Sequence, residues 1–437
     1  MQIHDENKAF PRSKSLAFIA GIASALIAVF ALQPTGTAQA AQPPTQTHAA
    51  KPNATAQSFY ATPFEKTPDA ATLTTLGRAL FSDASLSASG RMSCASCHDP
   101  AHAYGPPNGK ATQFGGSRLN QPGVRAVPSL RYAQDTPAFN AHHAETDGDD
   151  SIDQGPVGGW TWDGRAQSAH DQAAIPLLSP FEMGNANKAA AVARLRQSPN
   201  AAPLRAAFGN KVLDDEKLGW NALLLTLEVF QQSPQDFYPY NSPYDEFLRG
   251  KAPLSPAESR GLAIFNDAQR GNCAACHISA IKRGAFPQFT DRGLIALAVP
   301  RNPHIAANAD PKYVDLGLCG PLRTDLKDEA GFCGLFKTPT LRNVATRKVF
   351  FHNGAFHTLE DSVRFYADRD AHPARYYGKG GKPNDLPARY ADNINRDAPF
   401  ESQRKGQPSL SDAEIRDVVA FLKTLTDKDA KVAASGR

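Results

Sequence analysis

The sequence predicts a mainly α-helical fold in which two related units are joined by long loops. Three observations carry this reading. The pattern Gly-x-Ala-[Leu/Ile]-Phe occurs at Gly77–Phe81 and again at Gly261–Phe265, each time upstream of a Cys-x-x-Cys-His segment, Cys94–His98 and Cys273–His277. Helix starts are well marked. Ser255, Pro256 and Glu258 have the spacing of an N-cap, a first helical residue and the closing member of a capping box. Ser411 and Glu414 repeat the signature ahead of Ile415, Val418, Val419, Leu422 and Leu425, which share one helical stripe. Strand signals are sparse, and much of the Gly and Pro falls in the connecting stretches.

Taken in order, residues 1–40 read as a secretory signal. Lys8, Arg12 and Lys14 precede an apolar run from Leu16 to Leu32, and Thr37–Ala41 offers a small-residue cleavage site near Ala40. The run falls short of the ~20 residues a membrane span needs, and no later stretch is apolar enough for one. Export to the periplasm follows as an expectation. Residues 41–58, rich in Ala, Thr, Gln and Pro, read as a flexible lead-in. The rest divides into units at 59–250 and 251–437. With 41% hydrophobic residues, 21% charged residues and a net charge of +4, the chain shows no leaning toward nucleic acid or an acidic substrate.

The two Cys-x-x-Cys-His segments carry the chemistry. Two thiols three residues apart lie on one face of a helical turn and can form thioethers to a haem, and the adjacent His then reaches the iron. A zinc site would not require His after each second Cys. Two covalent c-type haems, held by Cys94 and Cys97 and by Cys273 and Cys276 with His98 and His277 as axial ligands, make the units cytochrome c-like domains. The other two of six cysteines, Cys319 and Cys333, read as one disulfide, worth about 3 kcal/mol by loop closure. The acidic run Asp147–Asp153 does not match the helix-loop-helix calcium pattern and reads as a solvated loop.

The second axial position decides what each iron does. Beyond Met1 the chain has only Met92 and Met183, so no Met from its own unit serves the second haem. His304, His352, His357 and the tyrosines, Tyr366 among them, remain open there; His102, His142 and His143 remain open for the first. Trp160 and Trp162, in a Gly-rich stretch, read either as packing against the first haem or as an electron relay.

The motifs, with Trp162–Ala166, Pro180–Met183, Phe336–Val344, Phe351–Gly354 and Thr358–Glu360 in the same order, resemble the bacterial dihaem cytochrome c peroxidase/MauG superfamily. Val363-Arg364-Phe365-Tyr366 stands where ordinary peroxidases place an axial Met, and no His-Gly-Trp segment occurs between His98 and Trp162. Both features resemble the MauG/MbnH-like branch, as do Val299–Pro303, Leu316–Gly320 and Asp385–Tyr390. The resemblance implies a peroxide-binding first haem held by His98 alone, with Glu182 as proton shuttle and Gln172 and Pro176 lining the pocket. It implies His277 and Tyr366 as ligands of the second haem, Trp162 as relay between the rings, and His352 as a structural residue near the second haem. Relatives often hold calcium through an Asn side chain where this chain has Ala126, which leaves only backbone carbonyls for that ion. The implied activity is reduction of hydrogen peroxide with electrons from a small redox protein. The alternatives are oxidation of a partner-protein side chain such as Trp and, from another class, a non-catalytic dihaem electron carrier.

Overall fold

The computed structural model describes residues 58–143, 154–282, 284–400 and 406–430. The signal segment, almost all of the lead-in and the acidic run Asp147–Asp153 lie outside the described residues. The principal helices are α1 (Ala70–Phe81), α2 (Ala169–Leu178), α3 (Lys188–Gln197), α4 (Ala201–Phe208), α5 (Glu216–Phe230), α6 (Pro256–Asn266), α7 (Leu359–Asp368) and α8 (Asp412–Lys423). Among the described residues, strand is confined to two small antiparallel pairs. In one, β1 (Phe114–Gly115) meets β2 (Gln121–Pro122); in the other, β3 (Leu294–Ile295) meets β4 (Phe336–Lys337).

Both expected capping boxes form, at Ser255/Glu258 on α6 and at Ser411/Glu414 on α8. Each satisfies two helix-end N–H groups that would otherwise lack partners. The stripe on α8 is buried: Ile415, Val418 and Leu422 pack in one core with Ile264, Phe265, Phe289 and Phe421. A second core gathers Leu80 and Phe81 with Val192, Leu195, Leu204, Phe208, Leu227 and Phe230.

The repeated Gly-x-Ala-[Leu/Ile]-Phe pattern has one physical cause in both places. α1 crosses α5 at Gly77, where a Cβ would overlap Phe230 and the Thr226 carbonyl. α6 crosses α8 at Gly261, where a Cβ would overlap the Asp417 carbonyl. The glycine lets the backbones touch, and the Leu or Ile and the Phe that follow turn into the core.

Buried charge pairs bind the two cores together. Arg131 donates to Asp427 at 2.9 Å, and Tyr132 Oη and Asn343 Nδ2 donate to the same carboxylate at 2.7 and 2.6 Å. Arg342 is paired with Asp245 at 2.7 Å, both fully buried. Cys319 and Cys333 are joined in a disulfide.

Candidate active site

Local backbone geometry shapes the two Cys-x-x-Cys-His segments alike. Cys94–Cys97 forms one helical turn after Ser93, and His98 N–H closes it on the Cys94 carbonyl at 2.9 Å. Cys273–Ala275 forms a tighter 3₁₀ turn, closed by His277 N–H on the Cys273 carbonyl at 2.8 Å. His98 Nδ1 lies 3.0 Å from the Tyr104 carbonyl, and His277 Nδ1 lies 2.9 Å from the Phe289 carbonyl. With the proton on Nδ1, both imidazoles donate to backbone and leave Nε2 for a metal. The acceptor residues Tyr104 and Phe289 both have positive φ, +54° and +56°. Non-glycine residues rarely hold that conformation, and here it is found at both acceptors.

The two segments open onto one cavity of about 480 Å³, lined by Cys94, Cys97, His98, Cys273, Cys276 and His277. Glu182, Gln172, Pro176, Trp162, Tyr366 and His352 line the same space. The residues singled out for the site are thus brought together, although Glu182 and Tyr366 are 184 positions apart in number. His102, His142, His143, His304 and His357 do not line it; Met92 and Met183 do. His102 is turned to Asp99, 2.8 Å from its Nδ1.

Glu182 stands in a turn just beyond α2. Pro176 sits inside α2, where it cannot donate to the Gln172 carbonyl one turn back. The Glu182 carbonyl accepts from Gly116 N–H at 2.7 Å, and a Cβ on Gly115 would overlap the Phe181 and Glu182 carbonyls. The Gly115-Gly116 pair at the β1 turn therefore clamps the acid in place. Burial pushes the Glu182 carboxyl above its ordinary value, opposed by Ser179 and Arg165. Its Oε2 is buried without a partner. A lone acceptor in a protein interior is costly, and this one shares a cavity with both Cys-x-x-Cys-His segments.

Trp162 lines the same cavity. Its Nε1–H donates to the Ala126 carbonyl at 2.8 Å, and its own carbonyl accepts from Lys337 N–H at 2.8 Å. Next to it Asp163 is fully buried and holds Arg125 at 2.7 Å and Arg165 at 2.8 Å. Burial alone would raise Asp163, but the two guanidinium groups overcome it and hold the carboxyl at about 2. Arg125 also grips Asp315, through Nε at 2.6 Å. Both carboxylates are thereby committed to guanidinium groups, and the Ala126 carbonyl to the Trp162 indole.

Tyr366 projects from α7 into the cavity with its ring against Phe351 and Phe400, at 5.8 and 5.2 Å between centroids. Burial and the nearby Cys276 and Cys273 thiols push its phenol far up. Among the described residues its hydroxyl makes no hydrogen bond. His352 is buried and stacks on Phe336 at 3.5 Å, and burial pulls its imidazole down to about 4. Sequence reasoning missed Lys337 and Arg347, which line the cavity. Burial pulls Lys337 down to about 7 and Arg347 down to about 10. Lys337 belongs to the Phe336–Val344 segment already noted, but the enclosure of its charge is not visible in a linear pattern.

Four thiols and two imidazole Nε2 atoms on one cavity fit a pair of c-type haems. The comparisons agree. The profile of the di-haem cytochrome c peroxidase family matches residues 71–253. The methylamine utilization protein MauG of Paracoccus denitrificans is 34% identical over 367 residues, which cover 82% of this chain and 89% of the relative. Cytochrome c peroxidase Ccp of Escherichia coli is 28% identical over 302 residues, covering 69% of this chain and 54% of that one. Among solved structures, the diheme peroxidase BthA from Burkholderia thailandensis superposes with a TM-score of 0.74 at 36% identity, covering 85% and 89% of the two chains. A mostly helical chain with this cavity and this likeness along most of its length belongs to the dihaem cytochrome c peroxidase/MauG family.

Proposed function

We propose that this chain is an exported, hydrogen-peroxide-dependent oxidoreductase of the peroxidase type, carrying two covalently attached c-type haems in units 59–250 and 251–437. Membership of the family implies two haem groups and a peroxidase-type enzyme. Among the described residues no helix is long and apolar enough to cross a membrane. The observation that carries the reading is the inequality of the two segments within one cavity. Glu182 offers an unpartnered carboxylate oxygen near Cys94 and Cys97, whose thiols feel its charge, and Tyr366 offers a free hydroxyl near Cys273 and Cys276.

When bound, the first haem supplies the iron at which peroxide is reduced and the second supplies a further redox centre. Cys94 and Cys97 would hold the first haem, and His98 Nε2 would be the protein's ligand to its iron. Glu182 takes the proton from the inner oxygen of peroxide and returns it to the departing oxygen, so that two electrons and two further protons complete two waters. A raised carboxyl suits that exchange, because acid–base efficiency is greatest when the group gains and loses its proton easily. Gln172 and Pro176 wall the pocket against water. Cys273 and Cys276 would hold the second haem, with His277 and the Tyr366 oxygen as the ligands to its iron, an oxygen donor that would favour the oxidised state. Trp162 passes electrons between the sites from a fixed position, since both its indole N–H and its carbonyl are held. His352 has a packing role, stacked on Phe336 beside the second site.

The electron source is a small redox protein. The second reading, oxidation of a side chain on a partner protein, rests on the 34% identity to MauG along most of both chains. The experiment is to mix the ferric protein with stoichiometric peroxide and follow its spectrum. Rapid spectral change with one peroxide consumed per dihaem chain is expected. A spectrum indifferent to peroxide would leave the electron carrier as the reading.

A further inference from the structure

The cavity wall carries seven cationic side chains, and five of them are neutralised by carboxylates. Arg125 and Arg165 meet Asp163, Arg131 meets Asp427, Arg292 meets Asp135, and Arg342 meets Asp245. Lys337 and Arg347 have no carboxylate partner among the described residues. Arg347 directs its hydrogen bonds to neutral carbonyls, Nε to Val349 at 3.2 Å and one terminal nitrogen to Val127 at 3.0 Å. Lys337 Nζ makes no hydrogen bond at all among the described residues. An enclosed cation without a counter-ion is strongly disfavoured, so two such groups on one cavity call for anions from outside the polypeptide.

Their positions say where those anions lie. Arg347 directly follows the short turn Val344–Thr346, whose Val344 packs in the second core, yet its guanidinium extends toward Gly105, next to the Tyr104 carbonyl that holds His98. A terminal nitrogen of its guanidinium is 3.8 Å from where a Cβ on Gly105 would stand, and its charge is felt at His98. Lys337 lies on β4, its N–H on the Trp162 carbonyl, beside an Asp163 already committed to two arginines. Each haem brings two carboxylates on flexible arms, a chemistry that a planar guanidinium and an ammonium both suit.

We propose that Arg347 and Lys337 are the counter-charges of the haem propionates, Arg347 for the haem seated on Cys94 and Cys97 and Lys337 for a propionate lying beside Trp162. Arg347 then reaches across from the second core to the first haem, and Lys337 places a propionate pair next to the relay. The inference rests on the dihaem reading above.

The test uses the full secreted holoprotein and its variants R347Q and K337Q, with R347K and K337R as charge-conserving controls. Intact mass first counts the haems. A parent chain without two attached haems would overturn the dihaem reading itself and this inference with it. Redox titration with optical and paramagnetic-resonance detection then assigns a midpoint potential to each haem. Removing a neighbouring cation favours the oxidised iron, so R347Q should lower the midpoint of the first haem and leave the second in place, with R347K restoring it. K337Q should lower at least one midpoint, with K337R restoring it. Unchanged midpoints in both Gln variants, with both haems attached, overturn the proposal. If the Gln variants do not load haem, the conservative pair decides. Midpoints near those of the parent support the charge role, and a pronounced fall overturns it.

Discussion

Replacing Glu182 by Gln separates proton transfer from every other role of this side chain. The amide has nearly the shape of the carboxyl, so the turn clamped by Gly115 and Gly116 keeps its place. What changes is that the group can no longer accept and return a proton. Positioned acid–base groups contribute about 10²–10⁴ in rate, and the lower end corresponds to about 2.7 kcal/mol of barrier. Glu182 Oε2 has no hydrogen-bond partner among the described residues. Stopped-flow mixing of the ferric variant with peroxide should give a second-order rate constant lower than that of the parent by two orders of magnitude or more. Stability should move the other way. The folded carboxyl is raised by burial, so its contribution is present in full below its unfolded value and is lost as pH rises through its folded value. At neutral pH the parent carries that loss and the amide does not. E182Q should therefore unfold no earlier than the parent in a denaturant titration at pH 7 while reacting far more slowly. A rate constant within threefold of the parent would refute proton shuttling by Glu182.

Other consequences follow from particular contacts. Tyr366→His should leave both haems attached by mass but change the spectrum of the peroxide-oxidised protein; an unaltered oxidised spectrum would show that Tyr366 is not a ligand of the second haem. The resting ferric protein should show one high-spin and one low-spin centre by paramagnetic resonance, because His102, His142 and His143, the His candidates for closing the first site, do not line the cavity; two low-spin centres would contradict the open site. Gly261→Ala forces a Cβ into the Asp417 carbonyl across the α6–α8 crossing, and overpacking of this kind costs about 1–3 kcal/mol; thermal unfolding should shift downward by several degrees, and an unshifted transition would mean the crossing can open freely. Arg342→Met leaves Asp245 buried without its ion partner and should cost about 3–5 kcal/mol, measured by denaturant unfolding.

What could be read along the chain was the part whose physics is local. A thioether pair and its His need only one turn of backbone, so Cys94–His98 and Cys273–His277 announce themselves by spacing. Helix caps at Ser255 and Ser411 are equally local, and the structure keeps both. The Gly-x-Ala-[Leu/Ile]-Phe echo was visible as a repeat, but its reason, a backbone-to-backbone crossing at Gly77 and Gly261, depends on what lies across from it. Glu182 was named only through resemblance, and Tyr366 was one open candidate among several until the resemblance singled it out, since nothing in their neighbouring residues marks a lone Tyr or Glu as facing a shared cavity. The balance of charge was out of reach altogether. Arg125 finds Asp315 190 positions away, while Arg347 and Lys337 find no carboxylate among the described residues, and a linear sequence displays both kinds of cation identically. Pairing and burial are properties of three-dimensional neighbours, so the folded chain alone decided which charges were neutralised and which were left facing the cavity.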